Sequence, residues 1–202
     1  MNTWDKLKPA LVEANQLLIK SFPKYVGNDP FGQFDVSNKD KVTLISVSEI
    51  LGSFNAWKDE IFLNLDEDPL GTAVHELLHA NSFSDDWHIP DPNNPEYIVS
   101  FRGLEFQWIT ADHSTVKAVY HRALNEAVTE LFTIHIYKDA IPAYENLIPF
   151  AQRLVKAIEF DNLAKQYFCE GYPGLEEVCS TYSFNLRDLD NHAESIFLLE
   201  YN

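Results

Sequence analysis

The residues best suited to chemistry lie at positions 75–79, which read H-E-L-L-H and fit the pattern H-E-x-x-H. On a helix, His75 and His79 lie one turn apart on the same face, so both imidazoles can bind one metal ion. Glu76 then projects beside them, where a metal-bound water would sit. The pattern predicts a metal-dependent hydrolytic site. The alternative is an amphipathic core helix with two half-exposed histidines.

The residues around this pattern predict the helix that the spacing requires. Asp68 is suited to cap the N-terminus, and Pro69 suits the first helical position, where its missing N–H costs nothing. An acidic start at Asp66 and Glu67 complements the helix dipole. Apolar residues recur close to helical spacing, at Leu70, Val74, Leu77, Leu78 and Phe83.

A catalytic zinc ion takes three protein ligands, and the sequence offers two candidates for the third. Asp85 lies six residues past His79, as in the metzincin pattern H-E-x-x-H-x-x-G-x-x-H/D, but Ser82 stands where that pattern has glycine. Without the bend, Asp85 is rotated about 240° from His79 and faces away. The other candidate segment is N-E-A-V-T-E, where Glu126 and Glu130 lie one turn apart on a later predicted helix. For these two, the alternative is a solvated acidic face.

Taken together, H-E-L-L-H-A and N-E-A-V-T-E resemble the two motifs of the gluzincin zinc peptidases, the thermolysin-like clan. The resemblance implies that His75, His79 and Glu126 bind Zn²⁺ and that Glu76 is the general base. It also implies that Glu130 orients a ligand imidazole by accepting its other ring N–H, a support that metal-bound histidines generally have. Anthrax-lethal-factor-like domains carry a related second motif, so the match reaches the clan rather than one family.

The resemblance covers roughly residues 60–138, and in size the chain is similar to the compact minigluzincins, with extra helices at both ends. It implies a strand antiparallel to the substrate, supplied by Glu60–Leu65 or by a neighbouring strand. The motifs do not place the residue that stabilises the oxyanion. The candidates for that role are His113, Tyr120, His121, His135, Tyr182 and His192.

The composition narrows the class of protein. The chain has 202 residues, of which 46% are hydrophobic, and this suits one domain with a sizeable core. We expect a catalytic core over about residues 41–140 and a helical part over about 141–202. The net charge of −16 argues against nucleic acid and anionic membranes as partners, because both bind basic surfaces. The oligomeric state is left open.

Two features bear on the compartment. The N-terminus has no apolar signal region, and no apolar run approaches the roughly 20 residues of a membrane span, so we expect a cytoplasmic protein. Cys169 and Cys179 are expected to be buried thiols rather than a disulfide, because a domain of this size needs none for stability.

Periodicity and turn signals predict the remaining elements. The predicted strands lie at residues 41–47, 60–65, 97–101 and 104–109. The predicted helices lie at residues 4–20, from a cap at Ser114 to about 138, and at 142–160, 162–169 and 188–200. A loop is predicted over Ser84–Pro95, and a helix break at Tyr172-Pro173-Gly174.

These observations predict an α+β, zincin-like fold. A small twisted sheet would lie over the H-E-x-x-H helix and the second glutamate helix, followed by a C-terminal helical set. The expected function is zinc-dependent hydrolysis of a peptide bond in a peptide or protein substrate, with Glu76 activating the zinc-bound water. Two alternatives stay open: a zincin-like regulatory or binding domain with weak or no peptidase activity, and a helical scaffold that binds no metal.

Overall fold

The computed structural model is α+β, with helices and two small sheets. The residues that it describes are 3–26, 34–44, 52–55, 60–64, 68–87, 97–110 and 115–201. Some sequence predictions fall outside these described residues, namely those for residues 45–47, 65 and 88–95 and for Asp66, Glu67, His113 and Ser114. Likeness to the zincin fold stays a prediction.

The chain divides into two compact units, which are described separately. The first comprises Met1–Asn81 and Thr129–Glu145, and the second comprises Ser82–Val128 and Asn146–Asn202. The expectation of a single domain stays a prediction. No helix in the described part of the chain is both long and apolar enough to cross a bilayer.

The first unit begins with helix α1, Thr3–Ser21, which confirms the predicted N-terminal helix. Its apolar residues at three- and four-residue spacing are buried at 1% exposure or less, and they are Leu7, Leu11, Ala14 and Leu18. This stripe packs against the helix that carries H-E-x-x-H. Helix α1 is therefore one wall of the core behind the candidate metal-binding residues.

A three-stranded sheet follows, formed by β1 (Val42–Leu44), β2 (Gly52–Asn55) and β3 (Glu60–Leu63). The strand order is β1-β3-β2, with β1 parallel and β2 antiparallel to β3. Strand β3 is central among these described strands, so the segment that begins at Glu60 does not supply an edge. The edges of this described sheet are the neighbouring strands β1 and β2.

Helix α2, Pro69–Ala80, has the predicted cap. One carboxylate oxygen of Asp68 accepts the Gly71 N–H at 2.9 Å, and the other accepts the Ile141 N–H at 2.9 Å. A Cβ atom at position 71 would collide with the Asp68 carboxylate, so this close cap requires glycine. Every residue from Gly71 to Leu78 is buried. The helix is thus fixed at its start and enclosed along its length.

The second unit contains a four-stranded antiparallel sheet in the order β4-β5-β6-β7. Its strands are β4 (Ser84–Trp87), β5 (Tyr97–Arg102), β6 (Glu105–Thr110) and β7 (Val116–Tyr120). Strands β5 and β6 confirm the two strands predicted around Gly103.

Two predictions were wrong in this sheet. Residues Ser84–Trp87, predicted as part of a loop, form β4. Residues Val116–Tyr120, predicted as the start of the long helix, form β7, and Tyr120 stacks on Phe106 across the sheet with ring centroids 4.7 Å apart. Such cross-strand aromatic pairs stabilise a sheet, and the residue spacing within 116–120 does not indicate this pairing.

The long helix α3 is Arg122–Ile136, and it carries both glutamates of the second motif. The later elements are α4 (Ile148–Ile158), α5 (Phe160–Lys165), a π-helical segment (Gln166–Glu170), α6 (Gly171–Thr181) and α7 (Leu186–Glu200). The C-terminal helical set is therefore present, although its first helix begins later than residue 142.

The predicted break at Tyr172-Pro173-Gly174 was misplaced, since these residues form the first turn of α6. The break lies at Gly171, whose φ of 68° is left-handed and favours glycine. Pro173 fits the first helical turn, where no backbone N–H is needed. Of the two cysteines, Cys179 is buried as expected, whereas Cys169 is exposed.

Candidate metal centre

Helix α2 directs two imidazoles toward one point. The Nε2 atoms of His75 and His79 are 3.1 Å apart, and their ring centroids are 4.8 Å apart at an interplanar angle of 68°. Two nitrogens bound about 2.05 Å from a tetrahedral zinc ion would be roughly 3.3 Å apart. The pair therefore fits the geometry of two nitrogen ligands on one small ion, as the helical spacing predicts.

Glu126 on α3 completes a set of three. His75, His79 and Glu126 each offer one ligand atom, and these atoms all lie within 4.8 Å of one another. His75 and Glu126 are buried, while His79 is half-buried. Two imidazoles and one carboxylate suit a divalent cation such as zinc.

Glu130 lies one turn further along α3 and is 1% exposed. Its Oε1 atom is 3.5 Å from Nδ1 of His75, on the side of the ring opposite the nitrogen that faces His79. The same oxygen accepts the backbone N–H groups of Ala143 and Tyr144 at 2.9 and 3.1 Å. These donors fix the carboxylate, so it can orient the His75 ring as the motif implies.

Glu76 is buried, at 5% exposure, and strand β2 passes directly over its carboxylate. A Cβ atom at position 52 would lie 2.7 Å from Oε1 of Glu76 and 2.6 Å from Cγ2 of Thr72. Only glycine allows the strand to approach the helix so closely. Gly52 was not singled out in the sequence, because nothing local to it indicates a contact with a helix that begins many residues later.

Asn125, the first residue of N-E-A-V-T-E, has a structural role as a hydrogen-bond acceptor. Its side-chain oxygen accepts the Leu104 N–H at 2.9 Å, and the residue is 4% exposed. Gly103 has φ 59°, and a Cβ atom there would come within 2.5 Å of that oxygen. The amide therefore ties α3 to the turn between β5 and β6, directly beside Glu126. Sequence reasoning did not assign this role to Asn125.

Asp85 has its hydrogen-bond partners on its own strand. It lies on the exposed strand β4, where Oδ2 accepts the indole N–H of Trp87 at 2.6 Å and Oδ1 accepts the Asp86 N–H at 2.9 Å. The group of possible metal ligands among the described residues contains Glu126 and not Asp85. The metzincin-like alternative has no support from this placement.

In the structure, the described candidates for the oxyanion-stabilising residue have the following contacts or exposure. Tyr120 stacks on Phe106, His121 contacts Asp190, His135 lies near Phe22, His192 lies near Phe150, and Tyr182 is 51% exposed. Tyr144, which is not among these candidates, lies near the candidate ligand His75, with the two ring centroids 6.2 Å apart. No motif in the sequence indicates this residue, which lies in the turn that Glu130 holds.

Comparison of the chain with protein-family models, with curated proteins and with solved structures gave no match. Any functional conclusion therefore depends on the residues of the site themselves and on the chemistry that they can perform.

Proposed function

We propose that this protein is a zinc-dependent metallopeptidase of the gluzincin type. The observation that carries the proposal is the convergence of His75, His79 and Glu126, with ligand atoms within 4.8 Å of one another. The placement of Glu130 behind His75 supports it further, because a carboxylate at that position commonly orients a metal-binding imidazole. Two imidazoles, one carboxylate and an adjacent buried glutamate form the donor set of a hydrolytic zinc site.

A bound zinc ion would act as a Lewis acid and lower the pKa of a coordinated water toward 7. The remaining steps belong to the protein. Glu76 accepts the proton of the attacking water and later donates it to the leaving amine. Burial of Glu76 keeps bulk solvent from competing for that proton. Glu130 holds the His75 ring in one orientation throughout.

The edge position of strand β2 suggests where a peptide substrate would bind. This strand lies at one edge of the described three-stranded sheet, and Gly52 brings its backbone against Glu76. An extended peptide can add to such an edge through main-chain hydrogen bonds. A peptide bound along β2 would place a backbone carbonyl near Glu76. We propose that β2, rather than the central strand β3, takes the substrate-aligning role.

The test has two parts, both on protein purified without affinity-tag metal. Metal analysis should find about one zinc per chain, and an unbiased peptide library should be cleaved by the wild type but not after chelation. Cleavage that survives chelation, or protein that binds no zinc, would contradict the proposal. Zinc binding with peptide capture but no cleavage would favour the regulatory-domain alternative.

A further inference from the structure

Two carboxylates of helix α7 hold the start of helix α3. Asp190 and Glu194 are one turn apart on α7. Oδ2 of Asp190 lies 2.5 Å from Nδ1 of His121, the residue just before α3. Oε1 of Glu194 accepts the backbone N–H of Ala123, in the first turn of α3, at 2.9 Å. All of these residues belong to the second unit, and the start of α3 is therefore anchored by α7.

The backbone at this point is strained. His121 has φ 62°, in the left-handed region that residues other than glycine adopt uncommonly. Its ring stacks on Tyr172, with centroids 3.6 Å apart at 4°, and meets Phe106 edge-on at 5.1 Å. The side-chain contacts of His121 therefore hold the chain in a conformation that its backbone alone disfavours.

The anchoring groups are also poorly solvated. Asp190 is 6% exposed, and within the described part of the chain its Oδ1 atom is buried without a hydrogen-bond partner. Burial raises the pKa of the Glu194 carboxyl, although the Ala123 N–H opposes this shift. Buried, incompletely satisfied carboxylates destabilise a fold. Asp190 is such a group, and a fold that retains it at a helix terminus indicates a function for that terminus.

Glu126 is the residue that this terminus positions. It follows Ala123 by three residues, so about one helical turn separates it from the Glu194 contact. The carbonyl of His121 accepts the Asn125 N–H at 3.0 Å, which fixes the backbone beside Glu126. A metal ligand must be held within about 0.5 Å of its productive position. Movement of the first turn of α3 would exceed that tolerance easily.

We propose that Asp190 and Glu194 are positioning residues for the metal ligand Glu126, acting through His121 and the first turn of α3. The inference rests on the proposed metal centre. It assigns to the C-terminal helix α7 an indirect effect on metal affinity, since none of its residues belongs to the group of candidate ligands.

The experiment measures Zn²⁺ affinity by competition with a chromophoric chelator, and the visible absorption of the Co²⁺-loaded protein. Glu194→Ala should weaken Zn²⁺ binding by at least about tenfold, the effect typical of residues that support a ligand, and should alter the Co²⁺ spectrum. Glu194→Gln keeps an oxygen that accepts the Ala123 N–H, so it should restore both. Glu177→Ala, which removes an exposed carboxylate of α6, should change neither.

Two further variants separate positioning from general loss of stability. His121→Gly removes the contact with Asp190 while suiting the left-handed backbone, so it should fold and still bind Zn²⁺ more weakly. Leu154→Ala, in the buried core of α4, should lower the melting temperature without changing the Co²⁺ spectrum. Unchanged affinity and spectrum in both Glu194→Ala and His121→Gly would overturn the positioning role and leave the metal centre intact. A wild-type protein that binds neither ion would refute the metal centre and the positioning role with it.

Discussion

The Oε1 atom of Glu130 lies 3.5 Å from Nδ1 of His75 while accepting two backbone N–H groups, from Ala143 and Tyr144. One oxygen therefore joins a candidate metal ligand to the turn that follows α3. Because the two amides fix the carboxylate, we expect the orientation of the imidazole to depend on a rigid partner rather than on a mobile one.

Replacing Glu130 with alanine should lower zinc affinity by roughly 10- to 100-fold, because the His75 ring loses its support. The same change removes the acceptor of two part-buried amides, which should lower the free energy of unfolding by roughly 0.5–1.5 kcal/mol for each hydrogen bond. Zinc titration and denaturant unfolding measure the two effects. Glu145→Ala, which removes a nearby exposed carboxylate, is the control. A structure with Glu130 on the metal and Glu126 away from it would require the two roles to be exchanged.

Replacing Glu126 with glutamine should weaken zinc binding more than any change at Glu130, because a charged carboxylate ligand becomes a neutral amide, which binds zinc weakly. The placement of Asp85 on β4, bonded to Trp87, makes Asp85→Asn the matched control, with no expected effect on zinc. Zinc stoichiometry and affinity should be measured for both variants to distinguish Glu126 from Asp85 as the third ligand. Zinc loss in Asp85→Asn with normal binding in Glu126→Gln would return the site to the metzincin-like pattern.

Replacing Glu76 with glutamine should reduce turnover while leaving zinc bound. General acid–base groups typically contribute about 10²- to 10⁴-fold to a rate, and Glu76 is rotated about 100° from His75 on the helix. Peptide cleavage and metal content should be measured on the same preparation. Loss of the metal in this variant would show that Glu76 is a ligand and that its role is misassigned.

Replacing Gly52 with alanine should impair catalysis without removing zinc. The new Cβ atom would lie 2.7 Å from Oε1 of Glu76, so either the strand or the carboxylate must move. Overpacking of this kind costs about 1–3 kcal/mol. Ser53→Ala, at an exposed position on the same strand, is the control. A Gly52→Ala enzyme with normal kcat and KM would show that β2 does not set the position of Glu76.

The two cysteines should differ in reactivity. Burial raises the pKa of the Cys179 thiol from 9.0 to about 11, whereas Cys169 is exposed. At about pH 8 a thiol reagent should therefore modify Cys169 in the folded protein and Cys179 only after unfolding. The unfolded thiol ionises first, so its contribution to stability is present below about pH 9 and is lost as the pH rises through about 11. Cys179→Ala should lack this component of the pH dependence, and an identical dependence would contradict the assignment.

The helix that carries H-E-x-x-H could be predicted because every signal for it is local. Asp68 caps it, Pro69 begins it and the apolar residues repeat along it, as the structure confirms. Strand β7 shows the opposite case. Val116, Val119 and Tyr120 are spaced as on a helix, yet the segment pairs with β6. The pairing with β6 lies outside this segment, and the helical spacing of its apolar residues cannot indicate that contact.

The residues of the candidate site also fall into those that local sequence patterns predict and those that they do not. His75, His79 and Glu126 were predicted from two motifs, and the structure brings their ligand atoms together. Gly52 and Tyr144 reach the same neighbourhood through tertiary contacts that leave no local trace in the sequence. Motifs indicate the residues that perform chemistry, whereas the residues that surround them depend on the path of the whole chain.

The register of the strands places two exposed tryptophans in one row in the second unit. Trp87 pairs with Val99, which pairs in turn with Trp108, so the two indoles stand in one row on the same face of the sheet. They are 44% and 45% exposed. Both should emit as solvated tryptophans and be reached by aqueous quenchers while the sheet is intact. Because Trp87 also packs on Phe101 at 4.6 Å, a change in its emission would report the separation of β4 from β5.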